Sequence, residues 1–592
     1  MVVRKDFQVE SFGVMAELPQ DLSPLQIGTK GYWQGRSFSL IGRLRLNWGA
    51  GSWTEWCADF GDGTTGWVAE AQGFYMVSFE QSAPALTEKN HNFVAGQKLN
   101  LQNEDWLVTD VKTVRCIAAE GELPFVAPPG WERTGIDLTG PYGQFGSLEI
   151  TNQKRSFFVG EYAQFEDLNF SELRKVPGWD QDAEITRRQS SAIGCPSCGA
   201  PVHLRAEGLS MSAVCGSCGG ILDTATPHLQ EIGRISKTVL QVNPILPIGS
   251  RGILKDNLWE SIGFMRRKDR WCSWDEYLLF NPWLGFRFLI NFRGHWSLVK
   301  LLPGHYTDTT WNDQEHALYS REEVTTTGIL GEFYWRARIG ERAIVIDHIA
   351  PPSILTREIN QDYNDISWSG GEYLDHQAVA DAFQIKLPAP QGMLLNQPNP
   401  SKQKWREILP RFIFILLSYI IIQFACLGIA ERKPVATANL AYQGSAEAPL
   451  ATAPFQLSGL SAPVHVTANG GLPMETYLGL KGNLVNADTQ QTYPLALPLS
   501  NYSTESHTFD EATLPAVPAG RYYLYFKPDA STNLPATPIS LRVSRGGLFW
   551  SNFWLGLVLI CLWPAWLLLA SSSFERKRWS ESDYNPYASS DE

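Results

Sequence analysis

Four cysteines carry the clearest chemistry in this chain. Cys195-Pro196-Ser197-Cys198-Gly199 and Cys215-Gly216-Ser217-Cys218-Gly219 are two CxxC knuckles with 16 residues between them. Two residues between cysteines let one tight turn aim both thiolates at one ion, and the following glycine lets the backbone wrap towards the sulfurs. Cys195, Cys198, Cys215 and Cys218 together make a closed tetrahedral shell, the arrangement of one structural Zn2+ with no open position for a substrate. Two disulfides or a redox pair would use the same residues, but a reducing compartment favours the metal. His203 is not needed as a ligand. Cys57, Cys116, Cys272, Cys426 and Cys561 are scattered and show no pairing logic.

The charges between Cys195 and Cys218 are Arg205 and Glu207, which cancel. Phosphate binding leaves a cationic footprint, and this segment has none. The whole chain points the same way, with 49 basic against 61 acidic residues and a net charge of −12. Nucleic acid is therefore not the expected partner. The segment reads as a staple for a small domain or as a docking face for protein partners.

Carboxylates form the second candidate site. Ser52-Trp53-Thr54-Glu55-Trp56 returns as Ser273-Trp274-Asp275-Glu276-Tyr277, an offset of 221. The same offset places Ile27-Gly28 on Ile248-Gly249, Gly42 on Gly263, and Arg45 on Arg266. At an offset of 210, Gly121-Glu122 falls on Gly331-Glu332 and Ile136-Asp137 on Ile346-Asp347; at 211, Gly160-Glu161-Tyr162 falls on Gly371-Glu372-Tyr373. Four acids thus recur: Glu55/Glu276, Glu122/Glu332, Asp137/Asp347 and Glu161/Glu372. One reading is a carboxylate-lined site for a small cation or polyamine. The other is structural, each acid bonding a strand-end amide or an arginine present in both copies, such as Arg45 and Arg266. Strand alternation, which puts Trp53 and Glu55 on one face, favours the structural reading. No HExxH, GxSxG, GxxxxGK[ST] or strand-linked GxGxxG occurs, so no residue is assigned as catalytic. None of the ten histidines recurs between the copies. Asn501-Tyr502-Ser503 matches a glycosylation sequon and is read as chance.

The repeated residues sit in a mainly β chain. Short aromatic and β-branched runs broken by Gly and Pro predict two tandem β-barrel or sandwich-like units, at 25–172 and 240–386. A short helix is expected at "LDHQAVADAFQI". The four-cysteine ribbon lies between the units, at 186–230, and an N-terminal segment, 1–24, precedes them without an apolar leader. A Pro/Gln-rich linker, 387–410, follows. Two uncharged apolar runs then predict transmembrane helices at 411–430 and 548–571; the first, at 1.5 Å per residue, spans about 28 Å. Between them, 434–545 predicts an extracytoplasmic β-sandwich. The tail, 572–592, is polar and ends in a stretch expected to be disordered. Basic residues flank the outer ends of both runs (Lys402, Lys404, Arg406 and Arg411; Arg576, Lys577 and Arg578) more than the loop between them (Arg432, Lys433, Arg542 and Arg545). That bias places both termini in the cytoplasm of a bacterial inner membrane.

The second unit carries a family resemblance in "IGSRG…SIGF…WDEYLLF…GHWSLV…GEFYWRARIGERAIVIDHIAPP…ISWSGGEYL". These residues resemble the bacterial domain of unknown function 4178, and the first unit resembles a more diverged copy. The resemblance implies a membrane-associated bacterial protein linked to envelope stress or to a polyamine-related process, without an assigned activity. The function expected from all of this is a membrane-anchored scaffold or sensor with a cytoplasmic head that meets protein partners. The alternative is an enzyme or a small-cation or polyamine binder using the repeated acids.

Overall fold

The computed structural model describes residues 2–5, 8–11, 21–49, 51–83, 93–128, 130–151, 154–179, 191–224, 229–303, 309–360, 365–445, 448–503, 506–532, 534–548 and 550–587. Parts of the N-terminal segment and of the 186–230 insert, and the tail beyond 587, lie outside those residues. The chain divides into two compact units, 1–399 with 573–592, and 400–572.

The first unit holds two closed barrels of eight antiparallel strands. Barrel 1 is built from β1 (Arg36–Trp48), β2 (Gly51–Asp59), β3 (Thr65–Ala71), β4 (Phe74–Gln81), β5 (Glu104–Leu123), β6 (Glu132–Thr139), β7 (Phe145–Ile150) and β8 (Arg155–Ala163). Around the ring the order is β1-β2-β3-β4-β8-β7-β6-β5, closed by β5 on β1. Two four-stranded meanders are thus joined edge to edge.

Between the barrels, the cysteine-rich insert contributes five short strands. A hairpin, β9 (Ser191–Gly194) and β10 (Pro201–Leu204), is followed by β11 (Ser212–Val214), β12 (Gly220–Asp223) and β13 (Gln230–Arg234). Barrel 2 repeats the ring with β14 (Asn257–Lys268), β15 (Ser273–Asn281), β16 (Gly285–Phe292), β17 (His295–Leu302), β18 (Ala317–Phe333), β19 (Arg342–Ala350), β20 (Ser353–Asn360) and β21 (Asp365–Leu374). Its order is β14-β15-β16-β17-β21-β20-β19-β18, closed by β18 on β14.

The repeated glycines stand where each ring closes. Gly42 pairs with Gly121 and Gly263 with Gly331. A Cβ on Gly42 would lie 2.1 Å from the Glu122 carbonyl oxygen, and one on Gly263 2.4 Å from that of Glu332. Only glycine lets the two backbones approach this closely.

The apolar core of barrel 1 lies largely outside its wall. Alternation turns Trp56, Val68, Tyr75 and Val77 outward, where they are buried beneath Phe165 and Phe170. Tyr75 meets Phe170 with ring centres 5.6 Å apart. The same alternation sends Glu55, Ala69, Met76 and Asp137 inward.

The expected helix forms at α1 (His376–Phe383), capped by Asp375, whose carboxylate accepts the Gln377 N–H at 2.8 Å. Residues 387–399, read as linker, run across barrel 2: Asn396 is buried, and its side-chain amide donates to Ser297 and to the Pro352 carbonyl. The described part of the tail is ordered too. Tyr319 of β18 donates to the Arg578 carbonyl at 2.9 Å and accepts, through its own carbonyl, the Ser582 hydroxyl at 2.5 Å. A buried arginine and an aromatic contact, Trp579 on Tyr319, supply what a polarity count of this tail missed.

In the second unit, α2 (Pro400–Ile429) begins inside the segment read as linker, with Pro400 in its first turn. With α3 (Trp550–Trp579) it is long and apolar enough to cross a membrane. Between the two helices lie a four-stranded and a six-stranded sheet with one shared core, including Val466, Leu480, Leu497, Leu524 and Leu541. The Asn501 side chain donates to the Leu472 carbonyl at 2.8 Å, so the sequon amide is already engaged.

Candidate functional site

The two cysteine knuckles meet as one cluster. All four sulfurs lie within 4.8 Å of one another, with Cys195 Sγ 3.8 Å from Cys218 Sγ and Cys198 Sγ 3.7 Å from Cys215 Sγ. A tetrahedron with metal–sulfur bonds of about 2.3 Å has edges of about 3.8 Å, whereas a disulfide needs about 2.05 Å. No disulfide joins any of the nine cysteines. Gly199 and Gly219 take left-handed φ of 75° and return their N–H groups to the Cys195 and Cys215 carbonyls at 2.8 and 2.9 Å. The cluster has the spacing of a four-thiolate metal site.

The insert is bonded into barrel 2. Strand β11 extends the barrel sheet along β18, with Ser212 opposite Phe333 and Ala213 opposite Glu332. Glu332, one of the repeated acids, accepts the backbone N–H groups of Arg205 and Ala206 at 2.6 and 3.1 Å and the Ser210 hydroxyl at 2.8 Å. Burial pushes its carboxyl up to about 7 despite these donors.

A different chemistry fills barrel 1. Its interior holds a cavity of about 330 Å³. The walls combine Trp48, Trp53, Trp67, Phe74 and Phe145 with the carboxylates of Glu55, Asp110, Asp137 and Glu149. Barrel 2 adds Pro303 and Asp365 to the lining. Arg133 bridges two of the acids, donating to Glu55 at 2.6 Å and to Glu149 at 2.9 Å. Lys112 pairs with Asp110, and its Nζ lies 3.9 Å from the Trp48 ring centre. Five carboxylates therefore face two cations. Burial pushes Asp110 up to about 7 and Glu149 up to about 8, against the pull of Lys112 and Arg133, and raises Asp137 as well. Burial works to lower Lys112, but Asp110 and Asp365 outweigh it and keep the ammonium charged.

The equivalent groups of barrel 2 pair differently. Register aligns Asp137 with Asp347, since they face Ser147 and Thr356, and aligns Glu149 with Glu358 two residues further on. Glu276 and Glu358 share Arg267, at 3.7 and 2.8 Å. Arg267 stands on β14 at the place of Leu46, whereas Arg133 stands on β6 at the place of Ala343. The same acid–arginine–acid arrangement is thus completed from different strands. Burial raises Glu276, and Asp347 accepts Thr356 and Ser320 at 2.6 and 3.3 Å.

The repeated acids do not converge on one site. Glu55 and Asp137 line the barrel 1 cavity, while in barrel 2 Glu276 is buried and Asp347 half-buried. Glu332 holds the insert, and Glu122 pairs in register with Val2. Glu161 accepts from Gln34 at 3.1 Å and Glu372 pairs with Lys255 at 2.9 Å, both at the surface. Trp53 and Trp274 each donate their indole N–H to the glutamate two residues on, at 2.9 and 2.7 Å, which explains why the two stretches share a tryptophan and a glutamate. The expected arginine partners are corrected. Arg45 donates to Ser52, Thr54 and the Gly208 carbonyl, and Arg266 to Asp275, because both side chains leave the strand on the face opposite the glutamate.

Asp110, Lys112, Arg133 and Glu149 were not anticipated. The alternation of Asp110, Lys112 and Val114 on one strand face was a readable signal for the first two. The architecture is that of a tandem β-barrel protein with two apolar helices and a possible four-cysteine metal site. Residues 26–165 and 247–376 match the domain of unknown function DUF4178, so the chain carries two tandem copies of that domain. No curated protein matches the chain. Among solved structures, PNGF-II aligns at 7% identity and a TM-score of 0.14, over 48% of this chain and 68% of its own. A glycoside hydrolase family 43 arabinoxylan arabinofuranohydrolase from Bacillus subtilis aligns at 9% and 0.11, over 81% and 95%. At such TM-scores these likenesses bear on neither fold nor function.

Proposed function

We propose that the chain is a membrane-anchored binding protein, acting as a sensor, whose first barrel takes a small organic cation. The observation that carries this reading is the barrel 1 cavity, where aromatic faces and an excess of carboxylates surround a space of about 330 Å³. Aromatic faces attract cations, and buried carboxylates gain a counter-charge when one enters. The cluster of Cys195, Cys198, Cys215 and Cys218 holds one structural Zn2+ and staples the insert to barrel 2. In this proposal α2 and α3 cross a bacterial inner membrane with both termini in the cytoplasm, and 434–545 is an extracytoplasmic β-sandwich. Protein partners would read the state of the cytoplasmic head.

The test titrates butylammonium, 1,4-diaminobutane and tetramethylammonium into the full chain in detergent micelles, following tryptophan fluorescence from Trp48, Trp53 and Trp67. Saturable binding by at least one organic cation is expected, weakened at least tenfold by Asp137→Asn. Absence of saturation with every cation, or equal binding by the variant, refutes the proposal.

A further inference from the structure

Barrel 1 already contains an ammonium group, supplied by its own chain. Lys112 projects inward from β5, over the face of Trp48 and against Asp110, and no group of this kind stands at the equivalent place in barrel 2, where Asp110 and Lys112 become Ser320 and Glu322. We propose that Lys112 is a tethered ligand, its ammonium filling the subsite that a primary alkylamine occupies once it has displaced the lysine. The inference rests on the reading of barrel 1 as a cation-binding cavity.

Three observations carry it. The pair is not sealed into the wall: the Lys112 side chain keeps 20% of its exposure, and Asp365, from barrel 2, offers a second carboxylate at the lining. The lysine can therefore pass from Asp110 towards Asp365 without leaving a carboxylate field. Asp110 Oδ1 is buried and has no hydrogen-bond partner among the described residues, so the subsite can accept a further N–H donor. The recess fits a primary ammonium on an alkyl stem, because the present occupant is one. A quaternary ammonium has no N–H to give to Asp110. A hard metal ion needs converging oxygens at about 2.0–2.6 Å, which an aromatic face does not supply.

The proposal predicts competition between Lys112 and added amine. The full chain and its Lys112→Ala variant are titrated in micelles with butylammonium chloride, with butanol and sodium chloride as controls. The variant is expected to bind butylammonium at least tenfold tighter than the parent, with no gain for butanol, and Asp110→Asn added to it should remove the gain. Lys112→Met keeps the stem and drops the charge; its melting temperature should rise on adding butylammonium by more than that of the parent. Binding by the parent with no tightening in Lys112→Ala overturns the tethered-ligand inference and leaves the cation-binding reading standing. Binding by neither overturns both, and a gain equal for butanol shows a simple apolar vacancy and overturns the inference.

Discussion

Replacing Arg267 by leucine gives barrel 2 the residue that barrel 1 carries at the same place, Leu46. Arg267 is 12% exposed and holds Glu276, 9% exposed, and Glu358, 31% exposed. Removing one partner of a buried ion pair costs about 3–5 kcal/mol because the remaining charge loses its counter-ion. Solvent at Glu358 and proton uptake by Glu276 both relieve the loss, so about 3 kcal/mol is expected near pH 7. At about 1.4 kcal/mol per decade, openings of barrel 2 become about a hundredfold more frequent. Hydrogen exchange of the full chain, followed by mass spectrometry on peptides from β14 and β15, reads this directly, with peptides from β1 and β2 as an internal control. Adding Ala343→Arg rebuilds the barrel 1 arrangement, an arginine on the strand equivalent to β6, and should recover most of the protection. Unchanged exchange in Arg267→Leu, or no recovery in the double variant, would falsify the idea that the two arginines do one job from different strands.

The purified chain should carry one tightly held zinc ion, lost in Cys198→Ser, with local unfolding of β11 to β13 and both barrels retained; metal analysis that finds none in the parent contradicts the assignment. The first unit should melt at higher temperature at pH 5.5 than at pH 8. Burial raises Asp110 and Glu332 to about 7 and Glu149 to about 8, so the folded state holds more protons than the unfolded one between the ordinary carboxylate range and these values. Their contribution is full at the acid end of that window and is lost as pH rises through it, the reverse of a salt-bridged acid. A melting temperature that climbs from pH 5.5 to 8 would contradict the burial argument.

Much of this fold was legible because a duplicated sequence reveals its own landmarks. The tryptophan and glutamate shared by Ser52–Trp56 and Ser273–Tyr277, the glycines at ring closure and the cysteine knuckles all recur or obey a spacing that local geometry enforces. The arginines escaped notice for a physical reason. Arg133 and Arg267 are not counterparts in the repeat, so alignment places each opposite an apolar residue, and only a closed ring brings both to equivalent carboxylates. Glu149 and Glu358 were hidden by one further residue of slippage, from an offset of 210 to 209. The cavity was invisible because it depends on all eight strands curling round inner faces that mix aromatic with charged side chains, while other aromatics pack on the outer faces. Polarity alone misjudged the tail, where a few side chains anchor a stretch of low hydrophobicity.

Tandem copies of one fold run a particular hazard: during folding a strand can join the wrong copy, and like sequences make the wrong partner nearly as good as the right one. The displaced arginine removes that near-equality. If β6 and β19 exchanged barrels, one ring would contain Leu46 and Ala343 beside Glu55 and Glu149 with no arginine, and the other would contain Arg133 and Arg267 together. Each hybrid breaks the pairing of one arginine with two glutamates that both native rings keep, at a cost of several kcal/mol. By drawing its cation from a different strand, each copy carries an address that the other cannot imitate.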